Sequence, residues 1–158
     1  MAKSFLKIFI RKAGFWNSKN FEISSQFGHI MLDIDDIFYS FNQGKFLPEG
    51  NNSNVQKINK KKFNDLYRNQ IWHVVTLSFT KKEIMKILSY FNEDAKDFKY
   101  SLLNNCTKQC QIALEKANLK FPHYFIFPGS MLNFLKNKNN NMPKLKIEKI
   151  KISKKWKE

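Results

Sequence analysis

Residues 100–119, YSLLNNCTKQCQIALEKANL, form the stretch that decides the fold. After the polar step Asn104-Asn105, the apolar side chains recur mostly on one face of a helix, at Cys110, Ile112, Ala113, Leu114 and Ala117. Asparagine is a favoured N-cap residue, so we expect Asn104 or Asn105 to cap a helix whose first turn contains Cys106.

A cysteine in the first turn of a helix is well placed for nucleophilic chemistry. The unpaired N–H groups and the positive end of the helix dipole favour the thiolate over the thiol. With a base nearby, Cys106 would be nucleophilic at neutral pH. The alternative is that Cys106 is only a buried core residue, as we expect for Cys110. A spacing of four residues in one helix suits neither a relaxed disulfide nor a zinc site, so both cysteines are predicted to be reduced.

The candidate base is His29, in the segment 28–42, GHIMLDIDDIFYSFN. Alternating apolar residues predict a strand from His29 to Ile34, a two-residue turn at Asp35-Asp36 and a return strand from Ile37 to Phe41. In such a hairpin, positions whose numbers sum to 71 face each other, which places His29 opposite Asn42.

Three polar residues are candidates to hold the imidazole of His29. An imidazole beside an amide is the arrangement of papain-like enzymes, which favours Asn42. Ser40 is an alternative from the same strand. Asp33 shares a strand face with His29 and is a third candidate.

The segments GHIML and YSFN, followed about 70 residues later by N-C-T at the start of a helix, resemble the circularly permuted NlpC/P60 group. This papain-like superfamily includes the LRAT-like proteins, and the resemblance covers roughly residues 5–135. It implies Cys106 as nucleophile, His29 as base and a polar third residue. The family position of that third residue, counted from His29, would be Phe41, so a bulge is needed to deliver Asn42 or Ser40.

The resemblance implies covalent acyl transfer without a metal or cofactor. His29 takes the thiol proton, Cys106 attacks a carbonyl to form a thioester, and the Cys106 backbone N–H stabilises the oxyanion. The expected substrate is an amide in bacterial cell-wall peptides, and the alternative is a lipid acyl ester at an anionic membrane. An effector toxin with an immunity protein as partner would fit either reaction. Gly28, Trp16 and Asn105 are the predicted substrate-binding residues.

The remaining segments predict an α+β fold, with an antiparallel sheet and helices packed on one side of it. The segments 4–12, 21–23 and 71–79 are predicted strands, and 44–54 is a predicted loop. Residues 60–69 form a predicted basic helix, Thr80-Lys81-Lys82-Glu83 is a capping box, and Ser130 is the predicted cap of a short helix. We expect a catalytic domain over residues 1–136, to which 137–158 adds a basic edge strand or arm.

Composition limits the partners and the location of the protein. The formal net charge is +15, and residues 137–158 hold eight lysines against two glutamates. Such a field attracts polyanions, although a genome rich in Lys and Asn codons explains the composition equally well. No segment is typical of a signal peptide or a membrane span, so we expect a cytoplasmic protein or export by a route without a cleavable signal.

A competing hypothesis makes the protein a non-enzymatic basic module. Its lysines would then contact phosphates, and Cys106 would serve packing alone. Nucleic acid is the least expected of its partners, because the sequence lacks a nucleic-acid-binding signature such as an aromatic pair of RRM type.

Overall fold

The computed structural model of the protein describes residues 3–12, 28–43, 53–95, 105–137 and 144–152. The predicted strand at 21–23 and the aromatic loop containing Trp16 lie outside these ranges. The described ranges contain the predicted hairpin, the cysteine helix and the basic C-terminal strand.

In the described residues, six antiparallel strands form one sheet in the order β4-β3-β2-β1-β5-β6. The strands are β1 (Lys3–Arg11), β2 (His29–Ile34), β3 (Ile37–Gln43), β4 (Ser53–Asn59), β5 (Ile71–Thr80) and β6 (Lys144–Lys151). The first four strands make a meander, and β5 then pairs with the free side of β1.

Four α-helices lie in the described part of the chain. They are α1 (Lys60–Leu66), α2 (Lys81–Ser89), α3 (Cys106–Glu115) and α4 (Pro128–Lys136). A π-helical turn, Tyr90–Asp94, continues α2 directly. The antiparallel α+β class predicted from the sequence is therefore confirmed.

The hairpin between β2 and β3 has the predicted register. Leu32 pairs with Tyr39 and Ile34 with Ile37, so the paired positions sum to 71. Asp35 and Asp36 have φ values of 53° and 65°, which give the turn the twist that a two-residue hairpin needs. Asp33 Oδ1 accepts a hydrogen bond from Asp36 N–H at 3.0 Å and stabilises the turn.

The sheet is covered on both faces, which corrects the prediction that helices pack on one side. Alternation along the strands sends Ile30 and Leu32 to the face covered by α2, α3 and α4, which we call the Cys106 face. Met31 and its neighbours point the other way, where Phe63 of α1 packs on them. We call this the α1 face, and its buried residues are Phe9, Met31, Phe38, Ile58, Phe63, Trp72, Val74 and Ile152.

Most local signals for helix ends are confirmed. The side chains of Thr80 and Glu83 cap each other's backbone N–H groups in the predicted capping box of α2. The predicted cap at Ser130 is wrong: α4 begins earlier, with Phe127 as N-cap and Pro128 in the first turn. Proline is favoured there because its missing N–H would have no helical partner.

Two strands complete the sheet at its edges. The predicted loop at 44–54 overlaps β4, whose polar sequence SNVQKIN carries little strand signal, yet it pairs with β3 along its length. At the other edge, β6 pairs with β5, which confirms the predicted basic edge strand. Residues 144–151 are thus hydrogen-bonded into the same sheet as the other five strands.

Candidate functional site

Cys106 is the first residue of α3 and lies against the start of β2. Asn105 is the N-cap, and its Oδ1 accepts a hydrogen bond from Lys108 N–H at 3.1 Å. The thiol is buried, with 3% of the residue exposed. The predicted position of Cys106 in a capped first turn is therefore confirmed.

Two opposing influences act on the Cys106 thiol. Hydrogen-bond donors at Ile30 N–H and Thr107, together with the charge of Arg11, lower its pKa. Burial outweighs them and raises the pKa of Cys106 to about 11. The Thr107 hydroxyl makes no hydrogen bond of good geometry within the described residues. In this conformation the thiol is protonated at neutral pH.

His29 lies on the α1 face, away from Cys106. Its ring stacks at 6.3 Å from Tyr67 and meets Trp72 edge-on at 6.3 Å, both distances between ring centroids. Burial, and then the charge of Arg11, lower the pKa of His29 to about 3, so the imidazole is neutral at neutral pH.

The predicted contact between His29 and Cys106 is therefore absent from this conformation. Sγ of Cys106 lies near Ile30 N–H on the Cys106 face, while the side chain one residue earlier points through the sheet to the other face. Alternation along a strand imposes this outcome, because neighbouring residues cannot share a face of a regular sheet. The two predicted catalytic residues are adjacent in backbone position and opposite in orientation.

The three candidates for the third residue have different surroundings. Ser40 is buried and donates a hydrogen bond to Gln56 Oε1 on β4 at 3.3 Å. Asp33 shares the α1 face with His29 as predicted, but it lies four residues along β2, roughly 13 Å away. Asn42 pairs with Asn54 through the backbone, and its side chain lies outside the described part of the structure.

Two of the predicted substrate-binding residues have structural explanations. Gly28 is buried with φ 91°, a conformation that glycine adopts without steric cost as the chain enters β2. Asn105 Nδ2 donates to the Ile126 carbonyl at 2.7 Å, which ties the start of α3 to the connector before α4. Trp16, the third, lies outside the described ranges.

No protein-family model, curated protein or solved structure matches this chain. Function is therefore inferred from the chemistry and geometry of the chain.

The sequence reasoning missed a buried polar cluster around His29. Arg11 pairs with His29 across the strands, and its guanidinium lies 5.8 Å from the Tyr67 ring centroid and 5.3 Å from that of Trp72. Arg11 Nη1 also donates to Gln70 Oε1 at 2.7 Å. Within the described residues, His29 Nε2 and Trp72 Nε1 are buried without hydrogen-bond partners. The signal in the sequence was the spacing of these residues. Arg11 lies two residues after Phe9 and His29 two residues before Met31, so alternation along the strands places both on the α1 face.

The α1 face also contains a cleft of about 240 Å³ between α1 and β6. Half of its lining residues are aromatic or aliphatic, and the other half are polar, with Lys7, Asp33 and Glu148 among the charged ones. Burial, and then the charge of Asp36, raise the pKa of Asp33 to about 6. The carboxyl of Asp33 is therefore a partly protonated group of this cleft rather than an orienting partner of His29.

Of the other histidines, His73 shares the Cys106 face of the sheet, because it pairs with Ile10, which lies on that face. The chain has three histidines. His73 on β5 has its pKa lowered by burial and then by Lys136, Lys12 and Lys149, and His123 lies exposed with its ring 4.5 Å from that of Phe125. None of the three is among the groups that shift the pKa of Cys106.

Within the described ranges, no cluster of three or more His, Cys, Asp or Glu side chains is arranged to hold a metal ion. Nor is any helix there both long and apolar enough to cross a membrane.

Proposed function

We propose that this protein is an acyl-transfer enzyme with Cys106 as its nucleophile. The observation that carries the proposal is the convergence of hydrogen-bond donors on the Cys106 sulfur, which lies at the capped start of α3. Ile30 N–H and Thr107 N–H both stabilise negative charge at this position. A buried site with such donors is suited to a thiolate and to the oxyanion that forms when it attacks a carbonyl.

The reaction proceeds through a thioester. A base removes the Cys106 proton, the sulfur attacks the carbonyl carbon, and the amine or alcohol leaves with that proton. Water or an acceptor then gives a proton to the base and attacks the thioester, the C–S bond breaks, and the base passes that proton to the departing thiolate. Each step needs a group that exchanges protons near neutral pH.

His29 is the base in this proposal, and its ring must change faces to act. A β-bulge at Gly28-His29 would turn the imidazole toward Cys106 and leave the register from Ile30 to Ile34 unchanged. Gly28 already adopts a positive φ, so the backbone at this point tolerates unusual conformations. The described conformation, with a protonated thiol and a neutral imidazole, is then a resting state.

The substrate follows from the resemblance and the charge of the chain. An amide in cell-wall peptides is the first candidate, and a phospholipid acyl ester is the second. Both occur in anionic surroundings that attract a protein of net charge +15.

Product analysis by mass spectrometry tests the proposal. Wild type, Cys106→Ser and Cys110→Ser are incubated separately with peptidoglycan fragments and with phosphatidylglycerol vesicles. Cys110 is the matched control, because it is a second buried thiol one turn further along α3. We expect products from wild type and Cys110→Ser but none from Cys106→Ser. Full activity of Cys106→Ser, or no product from any protein, contradicts the proposal.

A separate variant tests the base. Loss of general base catalysis lowers reaction rates by roughly 100-fold or more. We therefore expect His29→Gln to form product more slowly than wild type by at least that factor. If His29→Gln keeps the wild-type rate, His29 is not the base even where Cys106 is the nucleophile.

A second candidate function is polyanion binding without catalysis. His73 lies within the electrostatic reach of Lys12, Lys136 and Lys149, which come from the end of β1, α4 and β6. Three lysines from three elements around one histidine make a concentrated basic surface. Binding of a soluble polyanion such as heparin, weakened by salt and by changing these lysines to glutamine, would support this function. Binding that is unaffected by the lysine changes would contradict it.

A further inference from the structure

The connector between α3 and α4 exposes three large apolar side chains next to the start of the cysteine helix. Tyr124 is 46% exposed, Ile126 40% and Phe127 41%. We call these three side chains the connector ridge. Single exposed apolar residues are ordinary on a protein surface, whereas a group of exposed apolar side chains is a candidate interaction surface.

The backbone that carries the connector ridge is anchored to α3. Gln111 Nε2 donates to the His123 carbonyl at 3.0 Å, and Gln111 Oε1 accepts from Phe125 N–H at 2.7 Å. Asn105 Nδ2 donates to the Ile126 carbonyl at 2.7 Å. These hydrogen bonds hold the connector on both sides of Tyr124.

Phe125 anchors the middle of the connector. Its side chain is buried, and its ring centroid lies 5.6 Å from that of Phe134 on α4. The residues on either side of it, Tyr124 and Ile126, are exposed, as is Phe127, the N-cap of α4. The connector ridge thus flanks a buried aromatic anchor.

The charges near the connector ridge are mainly positive. Lys108 Nζ lies 5.2 Å from the centroid of the Tyr124 ring, and Lys120 is exposed at the start of the connector. Glu115 is the acidic neighbour. After burial, the charge of Glu115 is the next cause that raises the pKa of Tyr124.

We infer that the connector ridge is a docking surface for an anionic lipid bilayer. Tyrosine and phenylalanine side chains partition favourably into the interface of a bilayer, and nearby lysines attract anionic headgroups. A second copy of the chain fits poorly as the occupant, because two proteins of net charge +15 repel each other. The inference does not depend on the chemistry proposed for Cys106.

Vesicle cosedimentation with two matched triple variants tests this inference. Both are made in a Cys106→Ser background, so that turnover does not alter the lipids. The ridge variant is Tyr124→Ser/Ile126→Ser/Phe127→Ser. The control is Phe5→Ser/Leu66→Ser/Met85→Ser, which removes three other apolar side chains that are 58%, 50% and 65% exposed. Neither set changes the net charge.

We expect the ridge variant to bind mixed phosphatidylglycerol and phosphatidylcholine vesicles at least about tenfold more weakly than the background protein, since each lost side chain contributes buried apolar area. The control variant should bind as the background protein does. The difference should persist at about 0.5 M salt, where attraction by scattered lysines is screened.

Several results would overturn the inference. These are no binding by the background protein, equal binding by the two triple variants, or equal binding to vesicles of phosphatidylcholine alone. The product analysis with Cys106→Ser is a separate measurement, so loss of either proposal leaves the other standing.

Discussion

The side chains of His29 and Cys106 lie on opposite faces of one sheet, although Cys106 contacts the backbone at the residue that follows His29. Burial favours the neutral form of both side chains, because it lowers the pKa of His29 and raises the pKa of Cys106. The pair is therefore inactive as described, and the question for experiment is whether the strand end at Gly28-His29 rearranges when substrate binds.

Alkylation of Cys106 in the absence of substrate should be slow at neutral pH. With a pKa of about 11, only about one thiol in a thousand is ionised at pH 8, against roughly a quarter for an ordinary cysteine. In a Cys110→Ser protein, iodoacetamide should therefore react at least about 100-fold more slowly than with a free thiol. The alkylation rate should still rise between pH 9 and 11. Mass spectrometry of the labelled peptide after short exposures measures this rate. If the rate instead stops rising below pH 9, the pKa of Cys106 in the resting protein is lower than its surroundings indicate.

Gly28→Ala should destabilise the protein, because Gly28 has a φ of 91° that an alanine adopts only with strain. We expect the free energy of unfolding in urea to fall by about 1–2 kcal/mol.

Gly129→Ala is the matched control in α4. A Cβ added there would meet Lys12 Cγ at 4.0 Å, which is ordinary contact. Alanine is the better helix former by up to about 1 kcal/mol, so this variant should be neutral or more stable. Equal effects of the two substitutions would contradict the assigned backbone conformation at Gly28.

Asn105→Ala should cost more stability than Asn59→Ala. Both side chains accept a hydrogen bond as helix N-caps, but Asn105 is buried and also donates to the Ile126 carbonyl. We expect losses of about 2 kcal/mol for Asn105→Ala and about 1 kcal/mol for Asn59→Ala in urea unfolding.

Asn105→Asp separates the two roles of Asn105. An aspartate keeps the cap acceptor for Lys108 N–H and loses the amide donor to Ile126. Hydrogen exchange should therefore show a protected first turn of α3 with faster exchange in the connector. Unchanged exchange in the connector would mean that the bond to Ile126 does not hold it.

Asp33→Asn should stabilise the protein at pH 7.5. The folded-state pKa of about 6 lies above the ordinary value of 3.8, so the folded protein holds this proton more tightly than the unfolded chain. That contribution to stability is complete below pH 4 and is lost as the pH rises through 6. An asparagine carries no charge to desolvate, and its oxygen still accepts from Asp36 N–H. The gain should be about 1–3 kcal/mol at pH 7.5.

The pH dependence of that gain provides its control. The difference between Asp33→Asn and wild type should shrink as the pH falls through 6 toward 4, because the carboxyl of Asp33 then becomes protonated in the folded state. Thermal unfolding at a series of pH values measures it. A gain independent of pH would point to packing rather than ionisation.

Local sequence chemistry determined several parts of this structure. The Asp35-Asp36 turn and the alternation around it specify the pairing of β2 with β3, because a two-residue turn leaves one register. The caps at Asn105 and Thr80 satisfy N–H groups only a few residues away, so they were visible in the sequence.

Tertiary structure decided which side chains meet. Alternation along β2 places His29 and Ile30 on opposite faces, and the packing of α3 on the Ile30 face separates His29 from Cys106. The strand β4 was also invisible in the sequence, because hydrogen bonds to β3 stabilise its polar residues from outside. Turns and caps depend on neighbours along the chain. The surroundings of a side chain in a sheet depend instead on which distant elements cover each face, and periodicity alone carries no information about that choice.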